Sequence, residues 1–264
     1  MPLAIDLYCG LGGWTEGLLA EDWDVIGFDI ERHEYGEHRY PAQLVLQDVL
    51  TLHGSQFRSA DLIVASPPCQ KYSYMAMPWS KSKALIAWYK ELPERIAELN
   101  ALFDACFRIQ REACEAAGRH IPLVVENVRG AIPWVGRSRW NFGSFHLWGD
   151  VPALMPMVKL RGPRYDEVDR ALPSSMADLN EQQDDSRFRG CAPSDIEQLG
   201  VEIDPDAGRK GYAARLGEST VSRRYGSKSS KRKAASALIA KIPLVLARHI
   251  ARTYYPTDAA AGER

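Results

Sequence analysis

Short apolar runs alternate with helix-like segments over the first half of the chain. Residues 14–21 suit a helix, and apolar side chains recur at helical spacing from Leu92 to Ala117. Such alternation predicts a mostly parallel sheet covered by helices on both faces, an α/β fold of Rossmann-like type, in which ligands bind at the carboxyl ends of the strands. The predicted strands are Leu3–Tyr8, Val25–Asp29, Leu44–Asp48, Leu62–Ser66 and Leu123–Asn127.

The pattern changes after about residue 150. Residues 161–207 are rich in Asp, Glu, Pro, Ser and Gln with weak periodicity, which predicts a small irregular lobe or a partly mobile insert. One helical face returns over 234–255, with a kink or a start at Pro243. We therefore predict a domain over 1–150, a small lobe or insert over 151–234, and a C-terminal helix over 235–264 that returns to the first domain.

Composition adds a local basic segment to this picture. The chain has 264 residues, 45% of them hydrophobic, and 33 basic residues offset 34 acidic ones, so any contact with nucleic acid must be local. The basic segment spans 209–233, where interleaved Gly and Ser with Tyr212 and Tyr225 suit a loop lying against phosphates. A solvated surface loop is the alternative interpretation.

Cysteine usage and the chain's hydrophobicity indicate a cytoplasmic protein. Five cysteines occur without a Cys-x-x-Cys pair, which argues against a disulfide framework or a zinc site and favours a reducing compartment. The chain shows neither a basic-then-apolar leader nor an apolar run near 18 residues, so we expect neither secretion nor membrane spanning.

A glycine loop and two strand-ending carboxylates predict a pocket for an adenosyl group. The loop Asp6 to Gly13 follows a strand and opens a helix, where glycines let backbone N–H groups approach a ligand. Its glycine spacing is neither the dinucleotide-binding pattern nor a P-loop. Asp29 could accept both ribose hydroxyls, and Asp48 could accept an exocyclic adenine amine.

The segment Ser66-Pro67-Pro68-Cys69-Gln70 predicts a held nucleophile. Two prolines end the fourth strand abruptly, so that the thiol projects from a stiff turn at the edge of the sheet. A thiol attacks as its thiolate, which requires positive or polar surroundings. The alternative is a small buried cysteine.

Taken in order, the segments DLYCGLGG, FDIE, QDVL, SPPCQKYS and VVENV resemble the S-adenosylmethionine-dependent DNA cytosine C5-methyltransferases. The resemblance covers about residues 3–150 and, more weakly, 235–255; Arg137-Ser138-Arg139 resembles a later arginine motif of the family. Two departures stand out. The region 151–233, where the family keeps its target-recognition domain, is short and unfamiliar, and Ala240-Lys241 replaces the family's usual Gly-Asn pair, so that the lysine either faces solvent or favours an acidic analogue of the methyl donor.

The resemblance implies a class I methyltransferase fold and a set of site residues. Cys69 would be the nucleophile, Glu126 would contact N3 and the 4-amino group of cytosine, and Arg139, or else Arg137, would hold the base oxygen or orient Glu126. Asn127 would brace the loop. The implied cofactor-binding residues are Asp6, Tyr8, Gly10, Leu11, Gly12, Gly13, Asp29, Ile30, Asp48, Val49 and Pro68. The expected nucleic-acid contacts are Gln70, Tyr72, Ser73, Lys81, Lys83, Arg209, Lys210, Arg223, Arg224, Lys228, Lys231 and Arg232, with Lys71 to Lys83 as a flexible loop that closes over the base.

The implied reaction is methyl transfer from S-adenosylmethionine to C5 of cytosine in double-stranded DNA, through a covalent Cys69–C6 adduct on a flipped-out base. We expect a monomer without metal, of the bacterial or phage type found in restriction-modification systems. Two alternatives stay open: the same chemistry on a cytosine in RNA, and a non-catalytic DNA-binding relic, although such a relic would be expected to have lost Cys69 or Glu126.

Overall fold

The computed structural model describes residues 1–73, 79–155, 233, 237–238 and 240–256. The described residues belong to two compact units. The first comprises Met1–Glu34, Arg39–Met157 and Ile242–Arg264, and the second comprises Tyr35–His38 and Val158–Lys241. Apart from Lys233, the predicted basic segment lies outside the described residues, and so does nearly all of the predicted insert.

A seven-stranded sheet forms the centre of the first unit, in the order β5-β2-β1-β6-β7-β9-β8. Neighbours among the first five of these strands run parallel, whereas β9 is antiparallel to both β7 and β8. This order confirms the predicted α/β fold of Rossmann-like type with a mostly parallel sheet. The strands are β1 (Leu3–Leu7), β2 (Asp24–Asp29), β5 (Gln43–Leu46), β6 (Leu62–Ala65), β7 (Leu123–Asn127), β8 (Trp140–Phe142) and β9 (Phe145–Gly149).

Three predicted strands end earlier than the sequence pattern predicts, and the strand predicted as Leu62–Ser66 does so by one residue, at Ala65. Tyr8 leaves β1 because its backbone turns to φ 57°, and β5 ends at Leu46 because Asp48 caps the following 3-10 helix. The sequence pattern also missed the short ribbon of β3 (Glu34–Tyr35) and β4 (His38–Arg39), and the β8–β9 hairpin. These short strands carry too few alternating positions to stand out from a turn.

Five helices are described: α1 (Gly13–Leu19), α2 (Trp79–Lys90), α3 (Pro93–Ala117), α4 (Ile132–Val135) and α5 (Leu244–Tyr254). Short 3-10 turns cover Val49–Thr51, Gly54–Phe57 and Arg129–Ala131. Helix α3 confirms the predicted amphipathic helix, with Pro93 in its first turn and the left-handed Gly118 at its end. The prediction of a loop through Lys83 is wrong at its C-terminal end, because α2 begins at Trp79.

Apolar side chains pack on both faces of the sheet. Ile5, Leu7 and Ile63 belong to a cluster that includes the apolar face of α3, and the alternating Ala4 and Val64 belong to a second cluster with residues of α1 and α5. A Cβ on Gly17 of α1 would lie 2.3 Å from Cβ of Ala247 on α5, so only glycine allows the two helices to approach this closely. The C-terminal helix thus packs against the helix that follows β1.

Candidate active site

The polar residues singled out from the sequence gather at one edge of the sheet. Asp6 in β1 is in register with Gly27 of β2 and Val64 of β6, and Ala65 of β6 is in register with Val125 of β7. The carboxyl ends of these four neighbouring strands therefore lie side by side. The glycine loop, Asp29, the Cys69 turn and Glu126 all follow from or end these strands.

The glycine loop is shaped by left-handed backbone at Tyr8, Gly10 and Gly12, with φ values of 57°, 51° and 77°. Backbone hydrogen bonds from Cys9 N to Phe28 O and from Gly12 N to Cys9 O close the loop on the end of β2. A Cβ on Gly12 would lie 2.6 Å from Cδ of Pro41, so this position requires glycine for space as well as for its φ.

Asp29 fastens this loop. Its Oδ2 accepts a hydrogen bond from Gly10 N at 2.9 Å, and its Oδ1 accepts one from Glu31 N at 3.3 Å and lies 3.5 Å from His33 Nε2. Burial acts to raise the pKa of Asp29, but the hydrogen bonds from His33, Gly10 and Glu31 outweigh it, so the pKa is lowered. Asp29 is thus an anion that holds the loop, and its contact with ribose stays a prediction.

Asp6 lies beneath the loop at the end of a short hydrogen-bonded chain. The Thr15 hydroxyl donates to Asp6 Oδ2 at 2.6 Å and lies 2.7 Å from the Tyr40 hydroxyl. Asp6 is 1% exposed, and its Oδ1 is buried without a hydrogen-bond partner in the described part of the chain. Burial raises the pKa of Asp6 to about 7, against the lowering effect of Thr15. Thr15 and Tyr40 were not among the predicted site residues.

The remaining predicted cofactor residues differ in their exposure. Ile30 is 71% exposed just beyond β2, which fits an apolar surface for a planar base, and Pro68 is exposed beyond β6. Leu11 and Val49 are buried, and Tyr8 is anchored by its hydroxyl, which donates to Leu102 O. Asp48 is half-buried, and its Oδ1 accepts from Leu50 N at 2.9 Å.

These features fit the methyl donor that the resemblance implies. The unpartnered Asp6 Oδ1 is a buried acceptor that lacks a donor, and Gly10 has open space where a side chain would be. The exposed Ile30 and the half-buried Asp48 lie beyond the ends of β2 and β5. A glycine loop with open space, an apolar platform and carboxylates is the chemistry that an adenosyl amino acid requires.

The turn that carries Cys69 is held at both of its ends. Ser66 Oγ accepts from Trp14 Nε1 at 3.0 Å, and Pro67 O accepts from Asn127 Nδ2 at 2.9 Å. On the other side, Cys69 O accepts from Tyr72 N and from the Ser73 hydroxyl, both at 2.9 Å. These bonds fix the backbone that carries Cys69.

Cys69 is partly exposed, and its thiol interacts electrostatically with the carboxyl group of Glu126. Burial raises the pKa of the thiol, the Ser73 hydrogen bond lowers it, and the charge of Glu126 raises it further. This electrostatic effect puts the sulfur and the carboxyl of Glu126 in the same neighbourhood. In the free protein Cys69 is therefore held as a thiol.

Glu126 and Asn127 end β7 beside this turn. Glu126 is 9% exposed and faces Leu147 of β9 in the strand register. Asn127 is 1% exposed; besides its bond to Pro67 O, its Oδ1 accepts from Val128 N at 2.8 Å. Asn127 therefore ties the end of β7 to the turn that carries Cys69, as a bracing residue should.

Arg139 lies directly before β8 and is placed near the site by a backbone hydrogen bond to β9. Its backbone N donates to Leu147 O at 2.8 Å, so Arg139 lies next to the residue that is registered with Glu126. Both Arg139 and Arg137 are exposed. Their backbone positions are compatible with the predicted role, and contact of either guanidinium group with a base stays a prediction.

His146 lies at the same edge and was missed by the sequence reasoning. It is registered with Asn127, and its Nδ1 lies 2.9 Å from the Ser138 hydroxyl. Burial and the charge of Arg129 lower the pKa of His146, which keeps the ring neutral near pH 7. A lone histidine in a short strand carries no signal that could have singled it out.

The predicted nucleic-acid contacts divide into three groups. Gln70, Lys81 and Lys83 are exposed, the lysines on α2, and Ser73 is half-buried and bonded to Cys69 O. Tyr72 does not fit a surface contact, because it is 2% exposed and its hydroxyl donates to Leu99 O and Asn100 Oδ1. The others lie outside the described residues: Arg209, Lys210, Arg223, Arg224, Lys228, Lys231 and Arg232.

A family model described as C-5 cytosine-specific DNA methylase matches residues 3–79. The resemblance to this family is thereby confirmed for residues 3–79, which include the glycine loop and the turn that carries Cys69. No curated protein matches the chain. The described residues contain no group of three or more His, Cys, Asp or Glu side chains that could hold a metal ion, and within them no helix is long and apolar enough to cross a membrane.

Several solved structures are similar to this chain. A putative DNA modification methyltransferase encoded within a prophage of E. coli is 23% identical with a TM-score of 0.34, over 50% of this chain and 33% of that one. The Entamoeba histolytica methyltransferase EhMeth is 18% identical with a TM-score of 0.30, over 49% of this chain and 39% of its own. S. pombe Dnmt2 methyltransferase is 11% identical with a TM-score of 0.42, over 96% and 98%. The chain thus spans about a third of the first of these proteins and two fifths of the second.

Proposed function

We propose that this protein transfers a methyl group from S-adenosylmethionine to C5 of a cytosine in DNA. The observation that carries the proposal is the pairing of Cys69 with Glu126 at neighbouring strand ends. Their loops are joined by the Asn127–Pro67 hydrogen bond, and the charge of Glu126 acts on the Cys69 thiol. The glycine loop that would hold the methyl donor follows β1, the strand beside β6.

The chain's own residues divide the reaction between them. When bound, the methyl donor supplies an electrophilic sulfonium methyl group. Cytosine C5 is too electron-poor to attack that methyl, and addition of the Cys69 thiolate to C6 turns C5 into a nucleophilic enamine carbon. Glu126 donates a proton to N3 as the Cys69 Sγ–C6 bond forms, which neutralises the charge that the ring gains.

The later steps restore the enzyme and the aromatic ring. C5 forms a bond to the methyl carbon, whose bond to sulfur breaks. Loss of the C5 proton to water then returns the electron pair to the ring, and the Sγ–C6 bond breaks as Cys69 leaves as the thiolate. N3 gives its proton back to Glu126, which releases it to water, while Cys69 takes up a proton from water. Every bond that forms on the enzyme is broken again, so the only net products are methylcytosine, the demethylated donor and a proton.

The electrostatic interaction between Cys69 and Glu126 sets the order in which the reaction steps occur. A charged Glu126 raises the pKa of the thiol and keeps it protonated in the free enzyme. Once Glu126 has taken up a proton from water beside N3, that effect is lost, and Cys69 gives its own proton to water as it becomes the thiolate. The nucleophile is thus favoured when a base occupies the site.

A cytosine in a duplex must be rotated out of the stack for this attack, because C6 is approached across the face of the ring. Three exposed side chains are available to contact the sugar-phosphate backbone of the DNA: Gln70 next to Cys69, and Lys81 and Lys83 on α2. The basic segment 209–233 supplies the largest local concentration of positive charge in the sequence.

Methyl incorporation tests the proposal directly. Labelled S-adenosylmethionine is incubated with mixed duplex DNA or transfer RNA, and modified positions are sequenced. We expect label on cytosine C5 of DNA with the wild type and none with Cys69→Ser, whereas Cys114→Ser, at the far end of α3, keeps the activity. Label found only in transfer RNA would show that the substrate is RNA and not DNA. Methyl transfer undiminished by Cys69→Ser would refute the mechanism.

A trapping experiment separates the enzyme from a non-catalytic relic. In DNA with 5-fluorocytosine the fluorine cannot leave as the C5 proton does, so methyl transfer strands the Cys69–C6 adduct. We expect a protein–DNA species that survives denaturation and depends on the methyl donor and on Cys69. If the protein slowed the migration of DNA in a native gel but formed no denaturation-resistant adduct, it would be a DNA-binding protein without catalytic activity.

A further inference from the structure

Tyr40, Thr15 and Asp6 form a chain of side chains that the proposed chemistry does not use. Tyr40 is buried, and its hydroxyl reaches Thr15 across Gly27, where a Cβ would lie 2.3 Å from the phenol oxygen. Gly27 is in turn the residue of β2 that is registered with Asp6. The absence of a side chain at position 27 therefore lets Tyr40 reach over the strand beside Asp6.

The proton count of this chain depends on Asp6. Thr15 has one hydroxyl proton, which it donates to Asp6 Oδ2 when the carboxyl is ionised, so that Tyr40 must then donate to Thr15. When Asp6 is protonated the direction can reverse. Tyr40 thus stabilises the anion through Thr15 without touching it.

Asp6 Oδ1 is the atom of this hydrogen-bonded chain that has an acceptor site without a donor in the described part of the protein. It is buried and lacks a donor in the described part of the chain, although both oxygens of a buried carboxylate require donors. It lies where the strand gives way to the glycine loop. We propose, on the basis of the function proposed above, that Tyr40 and Thr15 are positioning residues that hold the Asp6 carboxylate so that Oδ1 accepts a hydrogen bond from the bound methyl donor, which makes donor binding depend on the protonation of Asp6.

The groups around Asp6 decide the direction of this dependence. Burial and the negative charge of Asp29 at the end of β2 disfavour the ionised carboxyl of Asp6 and raise its pKa. The hydroxyl and backbone N–H of Thr15 favour the ionised form and lower the pKa. Cys9 in the loop and Tyr40 both have their pKa raised by burial and by Asp6, so both are neutral. The partner on β6, Val64, is apolar. Asp6 therefore titrates near pH 7, and its accepting form is lost below that pH.

Calorimetric titration with S-adenosylhomocysteine between about pH 5.5 and about pH 8.5 tests the proposal without any turnover. We expect the affinity of the wild type to fall as the pH drops through about 7. Tyr40→Phe keeps the ring and removes the hydroxyl, so the midpoint should rise by about 0.5–1 unit. The Kd near pH 7 then weakens by roughly twofold to fivefold, and the difference disappears at high pH.

Further variants separate positioning from packing. Thr15→Val should shift the midpoint further, Thr15→Ser should restore the wild-type profile, and Asp6→Asn should bind weakly without pH dependence. Tyr254→Phe is the matched control, because it removes a phenol of the C-terminal helix that donates to Asp150 O, far from Asp6 in the sequence, and its profile should equal the wild type.

The outcomes distinguish this inference from the proposed function. If Tyr40→Phe weakened binding by the same factor at every pH, Tyr40 would only pack, and the inference would be overturned. Wild-type binding without any dependence on pH would overturn it as well, while the methyltransferase proposal stood. Absence of binding at every pH would overturn both.

Discussion

Replacing Asn127 by Ala tests whether one buried amide joins the two halves of the site. The substitution removes the hydrogen bonds to Pro67 O and Val128 N, at 2.9 and 2.8 Å, from a position that is 1% exposed. A buried polar group left without a partner costs about 1–3 kcal/mol. Since Val128 is half-buried and can be hydrated in part, we expect a total loss of about 2–4 kcal/mol in the free energy of unfolding.

Urea denaturation measures this loss, and a thermal melt should show a decrease of about 4–16 °C. The effect on activity should be larger than stability alone explains. Pro67 lies two residues before Cys69, and a misplacement of about 1 Å at a reacting atom can cost about a hundredfold in rate. We therefore expect methyl transfer and adduct trapping to fall by about that factor at a temperature where the variant is folded.

Two further variants make the Asn127 result specific. Asn127→Asp keeps the acceptor for Val128 N but places a carboxylate oxygen against Pro67 O, so it should lose activity as Asn127→Ala does. Gln110→Ala removes two hydrogen bonds, to Ile121 O and Asp150 Oδ2, near the opposite end of β7, and should cost stability but not adduct formation. A change below about 0.5 kcal/mol in Asn127→Ala, or undiminished adduct formation, would refute the reasoning.

Three other substitutions have outcomes that follow from single contacts. Because the pKa of Asp6 rises from 3.8 to about 7 on folding, protonation stabilises the fold, and this contribution is complete below pH 3.8 and lost as the pH rises through 7. Relative to Asp6→Asn, the wild type should therefore lose up to about 4 kcal/mol between those values in urea denaturation, and parallel curves would contradict the assignment. Gly27→Ala should destabilise by about 1–3 kcal/mol, because its Cβ would collide with Tyr40, and a melt equal to the wild type would show that the ring moves freely. Glu126→Gln should lower the pKa of Cys69, so that alkylation of that cysteine, followed by peptide mass spectrometry, begins at lower pH although methyl transfer falls; an unchanged profile would show that the two groups do not interact.

Much of this site follows from local sequence. A strand followed by glycines, and a strand stopped by two prolines before a cysteine, are patterns whose backbone consequences are short-range. The order of five apolar runs with intervening helices was enough to bring Asp29, Cys69 and Glu126 to one edge, because parallel strands end on the same side of a sheet. Asn127 could also be assigned a bracing role from its place after Glu126.

The contacts that tune these residues were decided by packing between distant segments. In the fold Asp29 accepts from Gly10 N, a contact that the sequence did not predict, and its contact with ribose stays a prediction. Tyr72 was expected on the surface, but its hydroxyl finds partners on α3 and its ring is buried.

The sequence alone thus determined which chemical groups exist and which strand ends carry them, because strand and turn preferences depend on neighbours along the chain. Only the tertiary structure decided which of those groups hold one another. Thr15, Tyr40 and Asp6 belong to a helix, a connecting segment and a strand, and no local pattern links them. Their hydrogen bonds form because Gly27 leaves room for a ring beside β1, and such space is a property of packed chains in three dimensions.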